Sequence, residues 1–174
     1  MLLLSGDRQS DPPPITTMLI DLDWMQQCLD LASAAQALGE VPVAALVVLG
    51  DRIVGRGYNR NIIDCDPSAH AEIVALREAG KSVGNHRLVG ATLYCTLEPC
   101  LMCAGAIVHA RLARLVFAAD DPKTGAVGSV FDVLADARHN HRVEVQRGVL
   151  AEPASERLRT FFRDKRLKEK EQKR

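Results

Sequence analysis

Apolar residues recur at helical spacing in the first part of the chain. Between residues 21 and 40 they fall three or four positions apart, and Gly39 follows as a helix stop. These apolar positions are Leu22, Met25, Leu29, Ala32 and Ala35. The next segment, residues 41–59, holds two apolar runs on either side of Gly50 and Asp51, which predicts two strands joined by a turn.

The rest of the chain alternates between strand and helix patterns. Short apolar runs that suit strands are separated by longer stretches with helical spacing. The predicted strands are 91–97, 114–119 and 142–150, and the predicted helices are 70–80, 99–110 and Pro153 to the end. This alternation predicts an α/β fold in which helices cover a sheet.

The first residues differ in composition from the rest of the chain. Residues 1–17 include three consecutive prolines and have little apolar surface to bury, so we expect a disordered extension. A chain of 174 residues, 47% of them hydrophobic, suits a single domain, which we place at residues 18–174. No apolar run in the sequence approaches the roughly 20 residues of a membrane span.

Charge is balanced overall but uneven along the chain. There are 22 basic and 22 acidic residues, yet residues 157–174 hold nine Lys or Arg against three Asp or Glu. A basic tail on an acidic body indicates either a contact with a polyanion or a solvated helix end. Five cysteines, an odd number, do not suggest a disulfide framework and favour a reducing cytoplasm.

Three side chains suit a metal ion. Cys100 and Cys103 lie three residues apart at the start of a predicted helix, and His70 opens another. Imidazole and thiolates are zinc ligands. Ligand counting leaves three interpretations: a catalytic site with three protein ligands, a structural site closed by a fourth such as Cys65, or a redox pair.

Glu72 helps to separate these interpretations. On an ideal helix a two-residue step turns by about 200°, so Glu72 and His70 converge only if His70 stands at the helix boundary. Ser68 is a candidate N-cap that places it there. A carboxylate beside a metal-bound water is the general acid and base that a hydrolytic zinc site requires, so the combination favours catalysis.

These motifs carry a resemblance to a known family. "HAE" at 70–72 followed by "PCLMC" at 99–103 is similar to the H-x-E and P-C-x-x-C signature of zinc-dependent nucleobase deaminases. Further segments resemble the bacterial tRNA-specific adenosine deaminases, namely "EVPV", "GYNRN", "DDPKTGAVGS", "NHRVEV" and "FFRDKR". The resemblance covers about residues 20–170.

The resemblance implies a fold and a reaction. The fold would be the three-layer α/β/α cytidine-deaminase type, with a central five-stranded mixed sheet and helices on both faces. His70, Cys100 and Cys103 would hold one Zn²⁺ per subunit, whose hydroxide attacks C6 of adenine. Glu72 would carry protons to N1 and to the leaving ammonia. The implied substrate is the wobble adenosine of a tRNA anticodon, in bacteria an arginine tRNA, and the implied assembly is a homodimer.

The resemblance also implies substrate contacts. Asn59 matches an asparagine that hydrogen-bonds the base, and a further group would line its pocket: Val41, Pro42, Val43 and Ala71. The matched RNA contacts are Asp121, Lys123, Asn140, His141, Phe161, Phe162, Arg163 and Arg166. A carboxylate such as Asp121 can accept a hydrogen bond from a ribose 2′-OH, and we expect at least one of the two phenylalanines to lie in the core.

Two positions depart from the family pattern. Ala44 stands where a glycine is common, and His86 stands where an aromatic residue is usual. Because Ala44 directly follows the matched pocket residues, it could alter the fit of the base.

Two other functions remain open at this point. A deaminase of a free base or nucleotide, such as guanine, cytosine or dCMP, shares the same zinc motif. A non-catalytic, zinc-stabilised RNA-binding module would use Cys65 as a fourth ligand and would have no need of Glu72.

Overall fold

The computed structural model describes residues 14–172, which form a five-stranded sheet with two helices on each face. The helices are α1 (Ile15–Ala37), α2 (Ala71–Val83), α3 (Leu101–His109) and α4 (Ala151–Gln172). The strands are β1 (Ala44–Leu49), β2 (Arg52–Tyr58), β3 (Thr92–Leu97), β4 (Arg114–Ala119) and β5 (Glu144–Arg147). The prediction of a three-layer fold around a mixed sheet is confirmed. None of the helices in residues 14–172 has the length and apolar character needed to cross a bilayer.

The order of the strands brings the loops after β3 and β4 together. The sheet runs β2-β1-β3-β4-β5, with β1 antiparallel to β2 and β3, and with β4 parallel to β3 and β5. Leu97 and Ala119, the last residues of β3 and β4, are partners in the parallel register. We call this side of the sheet the carboxyl edge. The polar segments that begin at Glu98 and Asp120 therefore start side by side.

Each face of the sheet has its own apolar core. Alternate residues of β1 face opposite layers, as the two-residue period of a strand requires. One core packs α2 and α3 against Ala45 and Val47, and the other packs α1 and α4 against Ala44 and Leu46. Ala44 therefore faces the layer opposite the one that holds α2, so its departure from the family pattern does not shape a pocket on the α2 side.

Several element boundaries differ from the predicted ones. The helix α2 continues through Gly80 to Val83 and ends at Gly84, whose φ of 70° is left-handed. A glycine inside a helix costs about 1 kcal/mol, which the burial of the neighbouring Ala79 offsets. The strand β5 is confined to Glu144–Arg147, shorter than the predicted 142–150. Pro153 lies in the first turn of α4, where its missing N–H is not needed.

The predicted N-terminal extension falls mostly outside the described residues. Residues 15–17 form the first turn of α1 and Pro14 is its N-cap, whereas residues 1–13 of the predicted extension lie outside the described residues.

Candidate metal centre and active site

Three side chains of types that can bind metals converge at the carboxyl edge of the sheet. The ligand atoms of His70, Cys100 and Cys103 all lie within 4.8 Å of one another. His70 Nδ1 is 3.6 Å from Cys100 Sγ and 3.7 Å from Cys103 Sγ. Nitrogen and sulfur atoms that share one tetrahedral zinc at about 2.1 and 2.3 Å are roughly 3.6 Å apart. The spacing and chemistry of the three donors therefore fit a zinc ion.

Two helix starts build this cluster. His70 is the N-cap of α2, with φ −69° and ψ 153°, and Cys100 is the N-cap of α3, with φ −74° and ψ 175°. Both residues are extended, so each side chain leaves its helix axis and turns towards the other. Cys103 lies within the first turn of α3. Free backbone N–H groups at both helix starts favour negative charge there.

Ser68 does not cap α2, contrary to the prediction. Its N–H and its hydroxyl both donate to Asp66 Oδ1, and its carbonyl accepts from the His70 N–H. The first N–H of the helix, that of Ala71, instead donates to Asn59 Oδ1 at 2.9 Å. The cap therefore comes from a residue 12 positions earlier, which ties the loop after β2 to the start of α2.

Glu72 is buried in the first turn of α2, with a 3% exposed surface. Burial raises the pKa of Glu72 to about 7, because the apolar surroundings disfavour the charged form. A carboxyl group that titrates near neutral pH can both take up and release a proton. The extended backbone at His70 is what allows both side chains to face one site.

The two thiols of the cluster shift each other's pKa in opposite directions. A hydrogen bond from Cys103 lowers the pKa of Cys100 to about 4, and the same bond raises the pKa of Cys103 well above its usual range. A hydrogen bond to Cys100 also raises the pKa of His70. A divalent cation stabilises two thiolates at once, so the cluster is suited to bind one with release of protons.

The cluster in residues 14–172 holds three protein donors, and Cys65 is not among them. Cys65 is exposed, and its sulfur lies 3.6 Å from the carbonyl oxygen of Ile62. The fourth protein ligand that a closed structural site requires is therefore not supplied by Cys65. The redox interpretation involves the two cysteines alone, whereas the structure groups both sulfurs with the imidazole of His70, within 3.7 Å.

The residues matched to a base pocket surround the start of α2. The Asn59 N–H donates to the Val43 carbonyl at 3.1 Å, and its side-chain oxygen holds Ala71. These bonds leave the amide NH₂ of Asn59 as the group free to face a ligand. Val43 and Ala71 are 4% and 0% exposed, Pro42 is buried, and Val41 is half-buried against the same core.

The matched RNA-contact residues are distributed over the molecule. Asp121 and Lys123 lie in the loop after β4, at the carboxyl edge. Asn140 and His141 lie elsewhere: Asn140 Oδ1 accepts from Arg111 at 2.8 Å, and His141 Nε2 is 2.6 Å from the Leu112 carbonyl oxygen. Those partners precede β4, whose 6 residues span roughly 20 Å. The structure therefore does not bring Asn140 and His141 to the metal cluster.

The expectation that one phenylalanine of α4 lies in the core is wrong. Phe161 is half-buried, Phe162 is 41% exposed, and their rings pack edge to face with centroids 5.4 Å apart. Arg163 and Arg166 are exposed on the same helix. His86, the second departure from the family pattern, lines a groove between α2 and α3.

Sequence reasoning missed two buried carboxylates that hold loops beside the site. Glu40 accepts from the N–H groups of Ile62 and Ile63 at 2.8 and 2.9 Å, and Glu98 accepts four donors from the loop after β4. Both are at most 2% exposed. Their sequence context could have indicated burial. Each glutamate stands shortly before a proline and among mostly apolar residues, in "GEVPV" and "TLEPC".

Comparisons with known proteins agree on one family. The family model of the MafB19-like deaminases matches residues 20–166. A tRNA-specific adenosine deaminase of Haemophilus influenzae is 53% identical over 151 residues, which are 86% of this chain and 87% of the relative. A structure solved in a study of A-to-I editing by tRNA:A34 deaminases at the wobble position of transfer RNA superposes with TM-score 0.75. That structure is 41% identical, and the match covers 78% of this chain and 99% of the solved one.

The same fold also occurs in deaminases of free bases. A structure of a guanine deaminase from Bacillus subtilis is 34% identical and superposes with TM-score 0.55. The match covers 63% of this chain and 69% of the guanine deaminase chain. The match is weaker in identity, coverage and superposition than the match to the structure from the tRNA:A34 study.

Proposed function

This chain belongs to the MafB19-like deaminase family, and from that premise we propose that it converts adenosine to inosine at the wobble position of a tRNA anticodon, as its relatives' names indicate. The observation that carries the proposal is a cluster of three metal ligands beside the buried carboxyl group of Glu72. A metal site with three protein ligands leaves one position for water. In bacteria the expected substrate is an arginine tRNA.

His70, Cys100 and Cys103 would hold one zinc ion. Bound zinc lowers the pKa of a coordinated water towards about 7 and so makes it a nucleophile at neutral pH. Glu72 would take a proton from this water at its carboxylate and deliver it to N1 of the adenine. The oxygen of the water would bond to C6 in place of the amino group. Its second proton would pass through Glu72 to that departing group, so that water and adenosine give inosine and ammonia. A buried carboxyl group beside the three donors is the type of group that such transfers require.

The pocket residues would hold the target base next to Glu72. The amide NH₂ of Asn59 would donate to the base, and the hydrogen bond from the Ala71 N–H to the side-chain oxygen supports this orientation of the amide. Lys123 and the basic face of α4, with Arg163 and Arg166, would contact the RNA backbone. Asn140 and His141 would fix the segment before β5, because their hydrogen-bond partners, Arg111 and the Leu112 carbonyl, lie away from the metal cluster.

We infer that two copies of the chain associate through the groove between α2 and α3. The groove has a volume of about 610 Å³, and apolar or small residues line much of it: Ile73, Leu76, Gly80, Ala106 and Ala110. Both helices begin at metal ligands, so a partner that covers the groove would steady the site. We place the dimer in the cytoplasm, where a reducing environment keeps five free cysteines reduced.

A synthetic anticodon stem-loop tests the proposal. The zinc-loaded protein should convert adenosine to inosine at the wobble position, seen by mass spectrometry as a gain of about 1 Da in the nucleotide. Adenosines elsewhere in the loop, and a stem-loop with guanosine at the wobble position, serve as internal controls. Turnover of free guanine or cytidine with the stem-loop unchanged would favour a free-base deaminase, and binding without turnover would favour a non-catalytic RNA-binding module.

A further inference from the structure

Glu98 is a buried carboxylate whose four hydrogen bonds all come from the loop after β4. Oε1 accepts from the N–H groups of Val127 at 2.9 Å and Ser129 at 3.1 Å. Oε2 accepts from the Asp121 N–H at 2.9 Å and also from the Ser129 hydroxyl. A carboxylate that is 2% exposed is costly unless its charge meets such donors. Glu98 and residues 120–131, which we call the 120s loop, therefore stabilise each other.

The same loop is attached to the metal-binding segment. The Ala126 N–H donates to the Pro99 carbonyl at 2.8 Å, and Gly125 forms an isolated antiparallel bridge with Cys100. A Cβ atom on Gly125 would lie 2.4 Å from Glu98 Oε2 and 2.6 Å from the Asp121 carbonyl oxygen. Only glycine permits this approach, so the loop backbone is seated directly on Glu98 and on the start of α3.

The tip of the loop is organised by Asp121. Its Oδ1 accepts from the N–H groups of Lys123 at 2.9 Å and Thr124 at 3.2 Å, and its Oδ2 accepts from the Thr124 hydroxyl at 2.6 Å. Three of about four acceptor positions on this carboxylate are thus used inside the loop. Since Glu98 fixes the Asp121 N–H and Asp121 in turn fixes Lys123, the conformation of the tip depends on Glu98.

We propose that Glu98 is a positioning residue that holds the 120s loop in the shape that presents Asp121 and Lys123 to the RNA. The RNA part of this proposal rests on the proposed function, whereas the loop conformation does not. Contacts between the loop tip and the RNA are the same for the bound substrate and for the transition state, so their loss raises KM and leaves kcat unchanged. Glu98 should therefore affect KM for the stem-loop and leave kcat per bound zinc nearly intact.

Glu98→Gln is the first test, made on the zinc-loaded full chain. Glutamine keeps the shape but places an NH₂ group against N–H donors, so part of the hydrogen-bond set is lost. We expect KM for the anticodon stem-loop to rise about tenfold, which is about 1.4 kcal/mol of binding. The value of kcat per zinc should stay within about threefold of the parent protein. Hydrogen exchange at the amides of Asp121, Val127 and Ser129 should become faster.

Two matched variants separate this role from a general loss of structure. Glu78 also accepts a backbone N–H, that of Arg56, but it is exposed on α2, so Glu78→Gln should change neither KM nor exchange in the 120s loop. Glu40→Gln removes a buried carboxylate from the other loop and should speed exchange at Ile62 and Ile63 only. If Glu98→Gln does not fold, Ser129→Ala removes one of the four donors and should raise KM about threefold.

The outcomes distinguish failure of this proposal from failure of the proposed function. Unchanged amide exchange in the 120s loop of Glu98→Gln, or an unchanged KM, overturns the positioning role. Loss of zinc from that variant also overturns it, because Glu98 would then act through the metal segment. If the parent protein leaves the stem-loop unmodified, the proposed function fails, while the exchange measurement still decides whether Glu98 holds the loop.

Discussion

His70 and Glu72 can serve one site because the helix begins between them. The N-cap position gives His70 an extended backbone, and Glu72 is already helical, so the angle of about 200° expected for a two-residue helical step does not apply. Asn59 stabilises this arrangement by accepting the first N–H of α2. A one-residue shift of the helix start would separate the carboxyl group from the imidazole without changing either residue.

Replacement of Glu72 by glutamine should separate metal binding from catalysis. The amide keeps the size of the side chain but cannot take up or release a proton, so turnover of the stem-loop should fall by about 10² to 10⁴. Zinc should remain near one equivalent per chain, because none of the three donors is altered. Metal analysis and single-turnover kinetics on the same sample measure both quantities.

The control for this variant is Cys65→Ser. Its thiol is exposed and outside the donor cluster, so the variant should keep both zinc and activity. Loss of the metal from Cys65→Ser, or full activity of Glu72→Gln, would contradict the catalytic interpretation.

The sequence was enough to predict that the three candidate metal ligands lie together, but not the buried carboxylates beside them. An imidazole and two thiols are an unusual combination for surface residues. The motifs that contain His70, Cys100 and Cys103 can be recognised from the sequence alone. Glu40 and Glu98 are recognised only when the fold shows which backbone N–H groups point at them. A glutamate in a loop is exposed in most proteins, so its residue type alone gives no reason to expect burial.

At the scale of elements, the close contact between β2 and α2 sets the position of the site. A Cβ atom on Gly57 would lie 2.2 Å from the Ala71 carbonyl oxygen and 2.5 Å from the Ala75 nitrogen. On Gly55 it would lie 2.3 Å from the Ala75 carbonyl oxygen. These neighbours are backbone atoms, which cannot move aside to accommodate a methyl group as the end of a flexible side chain can. The two glycines therefore let α2, with His70 and Glu72 at its start, rest directly on the strand.

Gly57→Ala should force α2 away from β2. We expect a loss of about 1–3 kcal/mol in the free energy of unfolding, as overpacking of a core produces. We also expect reduced turnover, since Ala71 adjoins both His70 and Glu72. Gly105→Ala is the matched control, because a Cβ atom there would meet no heavy atom within 4 Å outside the adjoining residues and backbone of its own helix. The helix interior also favours alanine over glycine by about 0.5–1 kcal/mol.

Urea unfolding of the zinc-loaded proteins measures the stability of both variants, and turnover of the stem-loop measures their activity. Equal stability of Gly57→Ala and the parent protein, with full activity, would show that the strand and the helix can separate without consequence for the site.

Sequence order predicted the elements but not which end of the sheet each loop reaches. Asn140 and His141 are near Asp121 in the chain, and both segments lie outside the helices and strands. The structure separates them along β4, because the segment before β5 returns to the amino end of that parallel strand. The direction of the β4–β5 pairing decides this, and it depends on contacts between distant residues that periodicity does not reveal.

At the scale of the whole molecule, the two helix layers differ in what they carry. The α2 and α3 layer holds all three candidate ligands and the apolar groove, while the α1 and α4 layer ends in the basic residues after Arg157. A dimer formed through the groove would leave the basic helices uncovered for RNA. It would also bury the outer faces of the two helices that begin at the metal ligands.

Ala106→Glu tests this assembly directly. Ala106 lines the groove on α3, one turn after Met102, which is 39% exposed on the same side of the helix. Arg77 and Lys81 also line the groove, but a buried ion pair does not repay the loss of solvation, and the longer side chain overfills the contact. The variant should therefore lose several kcal/mol of association, enough to dissociate a dimer at micromolar concentration. Sedimentation should give the mass of two chains for the parent protein and of one chain for the variant. Leu19→Glu, which adds the same charge to an exposed position on α1, should stay dimeric. A parent protein that sediments as a single chain, or an Ala106→Glu dimer, would rule out the groove as the interface.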